Sequence, residues 1–238
     1  MAKYCTTPGP YTMPALLLNI QNEFVRRRDA HLSVWLLAGV AIRLSMRMGY
    51  HRDSERYPQF TVFEGEMRRR IWSCMNQLDS LTSYQLGLPS MIQDPQCDTQ
   101  LPRNLLDEDF GPESTELPPS RPETELTPIL YTVAKTRLTT VFRAIYNRVT
   151  LARTESYEGI LELHKRLVAT RQSMSPRLQM TTFHSNVTAP PYVMIRRYNL
   201  ELLFQKSLCL LHRHHMAKAY HDASYSFSRT TCIEAAMV

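Results

Sequence analysis

The sequence predicts an all-α protein, and three observations carry that prediction. Glycine is scarce, 7 in 238 residues, and alternating apolar runs are few, which argues against sheets. Apolar residues instead recur at three- and four-residue spacing through most of the chain. Helix start and stop signals also bracket those stretches at sensible distances. The predicted architecture is a multi-helix bundle-like domain with a Pro/acidic loop near residues 90–125. A last apolar pattern runs up to Val238 without a stop signal, so a helix truncated at the C-terminus is expected.

Residues 1–14 hold three prolines and little periodicity, and are read as an irregular lead-in. A first helix is predicted over 15–28 and a second over 30–48. In the second, Val34, Leu37, Ala38, Ala41, Leu44, Ser45 and Met48 form one stripe, with Gly49 as a left-handed cap. Its small residues would let a neighbouring helix come close. The third helix has the clearest start, because Thr61 and Glu64 match a capping box. Met67, Ile71, Cys74, Met75, Leu78, Leu81 and Thr82 give its buried stripe, and Gly87 and Pro89 end it.

Between 90 and 125 six prolines interrupt any helix. Seven acidic residues and one arginine lie between Asp107 and Glu125, so an exposed, mobile loop is expected. Thr127-Pro128 then opens a long helix carrying Leu130, Val133, Leu138, Val141, Phe142, Ile145 and Val149. Another is predicted over 157–173, and after a loop over 175–189 Pro190-Pro191 opens one that reaches Lys218. Ile195, Tyr198, Leu202, Leu208 and Leu211 mark its apolar positions. Ser228 is the candidate cap of a final helix. No internal repeat is present.

Composition narrows the function. Lys plus Arg total 28 against 22 Asp plus Glu, a formal charge of +6, too small and too dispersed for a nucleic-acid interface. The triplets Arg26-Arg27-Arg28 and Arg68-Arg69-Arg70 are read as solvated helix faces. Five scattered cysteines (Cys5, Cys74, Cys97, Cys209, Cys232) suggest neither a disulfide framework nor a zinc site. Cys74 and Cys209 are read as buried thiols in a reducing compartment. The longest apolar stretch, 32–42, is half a membrane span, and no secretory signal is evident.

Catalytic signatures are missing: no phosphate loop, nucleophile elbow or His-Glu-x-x-His pair occurs. His212, His214, His215 and His221 form the one metal-like cluster, yet no carboxylate or cysteine completes it, and these are read as ordinary surface histidines. Glu66 and Arg70 stand four apart and can pair across a turn, weakly if exposed. Asp79 shares a face with Trp72 and Met75. If buried, it needs a cation or several donors, with Arg68 or Arg43 as candidate partners. It is read either as a polar staple between helices or as part of an effector pocket.

An ordered series of short strings completes the picture. Ala41-Ile42-Arg43 leads to Gly49-Tyr50-His51-Arg52-Asp53. There follow Phe63-Glu64-Gly65-Glu66-Met67-Arg68-Arg69-Arg70-Ile71-Trp72, then Asp79, Gly87-Leu88-Pro89, Leu101-Pro102, Asp107 and Asp109. Leu211-His212-Arg213 and Ser228-Arg229 with Cys232 and Ala235-Ala236 close the series. It resembles the middle homology region of fungal zinc binuclear cluster transcription factors, the fungal-specific transcription factor domain, over residues 15–238. Leu88 stands where many members carry arginine.

The resemblance implies a non-enzymatic regulatory domain of a nuclear factor that controls metabolic or secondary-metabolite genes by sensing an effector or partner. Arg43, Gly49, His51, Arg52, Asp53, Glu66, Arg68, Arg69, Arg70, Trp72, Asp79, Gly87, Pro89, His212 and Arg213 are the motif positions it assigns a structural or regulatory role. The family's six-cysteine zinc cluster is not in this sequence, so no cofactor is expected here, and DNA would be reached only through a missing module. A homodimer, a small-molecule effector and a transcriptional co-regulator remain open as partners, and no membrane is expected. Two alternatives stand beside this reading: a stand-alone truncated protein that competes with a longer relative, and an all-helical enzyme.

Overall fold

A computed structural model describes residues 8–27, 32–150, 156–180 and 189–237. Cys5 and Arg28 lie outside the described residues. Seven α-helices are present among them: α1 (Thr12–Arg27), α2 (Leu32–Arg47), α3 (Val62–Leu86), α4 (Pro128–Val149), α5 (Tyr157–Gln172), α6 (Pro191–Lys218) and α7 (Ser226–Met237). No strand occurs among the described residues, so the all-α prediction holds. The chain divides into two compact units between Thr136 and Arg137, inside α4.

The N-terminal unit is built on α3. Thr61 Oγ1 accepts from the Glu64 amide at 3.1 Å while Glu64 accepts from the Thr61 amide at 2.9 Å, completing the capping box. Gly87 ends the helix at φ +70° and Gly49 ends α2 at φ +75°, both in the left-handed region that favours glycine. α2 packs on both α1 and α3. The small residues predicted to allow a close approach, Ala38, Ala41 and Ser45, are all buried. Met13, Ile20, Ile42, Trp72, Met75 and Ile92 fill the core they enclose. α1 starts three residues before the predicted position, with Pro14 in its first turn, where a missing N–H costs nothing.

Of the stripe predicted for α3, Ile71, Met75 and Thr82 are buried, Met67, Leu78 and Leu81 are half-buried, and Cys74 is exposed. Gly65 is tolerated within this helix because the short turn Ser54–Arg56 lies against it. A Cβ there would stand 2.6 Å from Ser54 Oγ.

In the C-terminal unit α5 packs on α6 and α6 on α7. Ser156 caps α5, accepting from the Gly159 amide at 3.3 Å. The apolar positions of α6 are redistributed relative to the prediction. Val193, Leu200, Leu203, Phe204, Leu208 and Leu211 are buried, whereas Ile195, Tyr198 and Leu202 face outward. The predicted stripe therefore mixed two faces of one helix. Ser228 is not a cap either; α7 begins at Ser226, and Ser228 is a fully buried residue of its first turn. No described helix is long and apolar enough to cross a membrane.

Candidate functional site

The motif positions of the N-terminal unit converge on α3, and the arginine triplet organises them. Three consecutive helical residues point about 100° apart, so they cannot form one solvated face. Arg68 and Arg69 are buried and the Arg70 side chain is 12% exposed, which corrects the surface reading. Each goes to a different destination.

Arg68 donates from Nη2 to the Met48 carbonyl at 2.7 Å. Its guanidinium lies between the rings of Tyr50 and Phe60, 4.1 and 4.2 Å from their centroids. A Cβ at position 49 would sit 3.4 Å from Arg68 Nη2, a second reason for glycine there. Arg69 makes a two-pronged pair with Asp53, 2.9 Å from Nε to Oδ2 and 2.7 Å from Nη2 to Oδ1, and donates to Glu55 at 2.7 Å. Asp53 also accepts from the amides of Glu55 and Gln100 at 3.0 and 2.9 Å. Burial alone would raise the Asp53 carboxyl. The Arg69 fork and the two amides outweigh it and hold the group below the usual carboxylate range.

Arg70 reaches across to the proline-rich segment. It donates to Asp107 at 2.6 Å and to the Leu105 carbonyl at 3.2 Å, and stands 4.8 Å over the Phe110 ring. Its Nε meets Glu66 Oε1 at 3.3 Å, the predicted i,i+4 pair. That pair is not an exposed one, because Glu66 is fully buried. Glu66 also accepts from the Arg103 amide at 3.2 Å, and burial pushes its carboxyl up despite these partners.

Segment 90–125 is largely exposed in its acidic half, as expected, but it is fastened as a strap by the contacts that follow. Asn104, 4% exposed, donates to the carbonyls of Arg121, Pro122 and Glu125. Its own Oδ1 accepts from Thr127 Oγ1 at 2.6 Å. Arg121 grips Asp109 at 2.7 and 2.6 Å and Glu125 at 2.9 Å. Arg103 donates from Nη1 to the Leu117 and Pro118 carbonyls at 3.2 Å each. Acidity and prolines conceal this order because Asp107, Asp109 and Glu125 are answered from α3 or from within the strap, while Glu108, Glu113 and Glu116 face outward.

Asp79 is buried and serves the start of the strap. It accepts from Ser90 Oγ, from the Met91 and Ile92 amides at 3.1 and 2.8 Å, and from Ser83 Oγ at 3.5 Å. Several donors thus replace a cation. Neither Arg68, committed elsewhere, nor Arg43, which is exposed, is its partner. Asp79 thus ties α3 to residues 90–92, not to a second helix. His51 rests 6.3 Å from Trp72, ring to ring, and Arg52 meets Asp98 at the surface. Pro89 is exposed, and Leu88 donates its amide back to the Ser83 carbonyl at 2.9 Å to close the end of α3.

Between the strap and α3 lies an open cleft of about 460 Å³, within the range of small-molecule sites. The first turn of α3 (Thr61, Val62, Gly65, Glu66) forms one side. Tyr57, Pro58 and Phe60 form a second, and Arg103 with strap residues 115–117 forms a third. Arg69 and Glu66 contribute its charged floor.

The remaining motif residues lie in the C-terminal unit. His212 is fully buried and His215 is 4% exposed, which corrects the surface reading for these two; Arg213, His214 and His221 are exposed. His212 Nδ1 is 2.8 Å from Ser228 Oγ, Ser228 Oγ is 3.0 Å from the Tyr157 hydroxyl, and His212 Nε2 is 3.0 Å from His164 Nδ1. Tyr157 and Tyr225 flank His215 at 5.1 and 5.3 Å. Burial pushes the His212 imidazole down to about 4, with His164 and His215 adding to it, and lowers His164 and His215 as well. A Ser–His contact is the start of a nucleophile–base pair, but both side chains are closed off from solvent, so the contact serves packing. Among the described residues no three His, Cys, Asp or Glu side chains are placed to hold a metal ion.

The family profile described as "Fungal specific transcription factor domain" matches residues 15–180. The chain belongs to that family. It is 43% identical to the Zn(2)-C6 fungal-type transcription factor pigI of Monascus ruber, covering 96% of this chain and 28% of that protein. It is 41% identical to the Zn(2)-C6 fungal-type transcription factor mpsB of Macrophomina phaseolina, covering 100% and 32%. A third relative, the pyrrolocin cluster transcription factor fsdR of a fungal species, is 39% identical over 98% of this chain and 30% of its own. The chain thus spans about a third or less of the length of these relatives. No solved structure matches it.

Proposed function

We propose that this chain is the regulatory module of a fungal zinc-cluster transcription factor, acting in the nucleus on RNA polymerase II transcription of metabolic genes, including those of a secondary-metabolite cluster. The names of the relatives support that reading, the pyrrolocin cluster factor among them. In this reading DNA contact and zinc belong to another module. The family fold contributes a sensor, and no catalytic role is assigned because its one Ser–His pair is sealed in the core. An effector or co-regulator engages the N-terminal unit and changes how tightly the strap is held on α3.

One observation carries the proposal: the cleft of about 460 Å³ is walled by Glu66 and Arg103, which fasten the strap, and by Arg69, whose partner Asp53 accepts from the strap amide of Gln100. A molecule that fills it touches α3 and residues 115–117 together, and so acts on the fastening. The test is a reporter assay with the chain fused to a heterologous DNA-binding domain and an activation domain, in cells grown with and without inducing culture extract. Thr115→Trp, which fills the cleft, is expected to fix output at one level while the parent fusion responds to extract. Equal responses from both fusions would contradict the proposal.

A further inference from the structure

Cys209 and Cys232, 23 residues apart in sequence, face each other between α6 and α7. The Cys209 thiol is directed at the Cys232 carbonyl oxygen at 3.8 Å, and the Cys232 thiol at the Cys209 carbonyl oxygen at 3.9 Å. Each sulfur therefore lies over the other residue's backbone. That reciprocity sets the two side chains against each other across the helix pair, the arrangement a disulfide starts from. The inner face of α7 permits the approach because its buried residues, Ser228, Cys232 and Ala235, are all small. Both cysteines are free thiols, and they differ in access: Cys209 is half-buried, whereas Cys232 is 8% exposed. Burial, with the Cys209 thiol hydrogen-bonded beside it, pushes the Cys232 thiol up, so it stays protonated at neutral pH.

We propose that Cys209 and Cys232 form a reversible oxidation site, at which a hydroperoxide converts the two thiols into a disulfide that clamps α7 to α6. Cys209, the more accessible sulfur, attacks the peroxide as its thiolate. The O–O bond breaks, the departing alkoxide takes up the proton that Cys209 released, and a sulfenic acid remains on Cys209. The Cys232 sulfur then attacks the Cys209 sulfur. The S–O bond breaks, and the Cys232 proton leaves with the hydroxyl as water. Two thiols lose two electrons, and the peroxide is reduced to an alcohol (water, for hydrogen peroxide). A cellular thiol reductant reverses the bond, the behaviour expected of a disulfide in a reducing compartment. The clamp closes the turn between α6 and α7, where Tyr225 packs on Tyr157 and His215. It thereby stiffens the part of the C-terminal unit that also holds the His212–Ser228 contact.

The test treats the full chain with hydrogen peroxide, blocks remaining thiols with N-ethylmaleimide and maps the tryptic peptides without reduction. The expected result is a fall from five free thiols to three, one cross-linked pair joining the Cys209 and Cys232 peptides, and full return with dithiothreitol. The melting temperature rises on the order of 5 °C in the oxidised form. Cys209→Ser abolishes the cross-link and the shift, while Cys74→Ser with Cys97→Ser leaves both intact. Mapping on the unaltered chain keeps the test decisive if a variant fails to fold. Three results would overturn the proposal: a cross-link that involves Cys74 or Cys97 or a second chain, Cys209 advancing to sulfinic acid beside an alkylated Cys232, or both thiols left unreacted.

Discussion

The N-terminal unit buries a set of ion pairs around α3, whereas the C-terminal unit, which buries Arg143 as well, centres its polar interior on a chain of neutral groups. In the first, Arg69 is answered by Asp53 and Glu55, Arg70 by Glu66 and Asp107, and Arg68 by two aromatic rings and a carbonyl. In the second, His212, Ser228, Tyr157 and His164 form a chain of uncharged hydrogen-bonding groups. The difference sets opposite sensitivities. A buried guanidinium–carboxylate pair collapses when one partner is deleted, because the other is left charged in the interior. A buried imidazole network tolerates neutral pH and fails when acid charges it. The contrast also indicates where regulation fits, since the charged unit holds its strap by discrete contacts that a ligand can replace.

The largest expected effect breaks the charged side of the comparison. Arg69→Ala leaves Asp53 buried without its fork and costs about 3–5 kcal/mol of N-terminal-unit stability, read by urea denaturation. Arg69→Lys, a point charge without the fork, recovers only part of that loss.

Next comes the neutral side. The His212 imidazole falls from 6.5 to about 4 in the folded chain, so the unfolded state binds the proton more readily. The stability this group contributes is complete above pH 6.5 and is lost as pH falls toward 4, on the order of 2–3 kcal/mol in all. Asp53 has the other profile: its folded carboxyl lies below the ordinary 3.8, so its contribution is present above that value and fades only below it. His212→Leu is expected to flatten the loss between pH 6.5 and 4 in denaturation curves while leaving the loss below 3.8 in place. At neutral pH that variant loses about 1–3 kcal/mol, because His164 loses its His212 partner and Ser228 keeps only Tyr157.

Smaller effects sharpen the comparison within the charged unit. Asn104→Ala removes the hub of the strap and costs about 1–3 kcal/mol. Limited proteolysis is expected to cut it first within 110–125. Thr61→Ala removes half of the capping box and costs about 1 kcal/mol, read as a shift in the denaturation midpoint.

Much of this fold was legible in local spacing. The Thr61–Glu64 box, the two left-handed glycines and the Thr127 cap each use residues within a few positions of one another, so sequence alone locates them. What escaped depends on contacts across the chain. Asp53 is 16 residues from Arg69 and Asp107 is 37 from Arg70, and a triplet of arginines looks solvated until its partners are known. One clue was available, because consecutive helical positions diverge and cannot share a surface. The histidines offered another. His212 and His215 stand four residues after Leu208 and Leu211 and so continue a buried stripe. Strap order was hidden by composition, since prolines and acidic residues look alike whether or not Asn104 and Arg121 gather them.

The contrast between the units is tested most directly by one acid titration followed with two probes. Trp35 and Trp72 are the two tryptophans of the chain, and both lie in the N-terminal unit, so tryptophan fluorescence reports that unit alone while far-UV circular dichroism reports both. The account predicts that helical signal falls between pH 6.5 and 4 while the fluorescence maximum stays in place, with only its intensity changing as His51 charges beside Trp72, and that the maximum shifts only below pH 3.8. Coincident transitions of the two probes above pH 4 would contradict it.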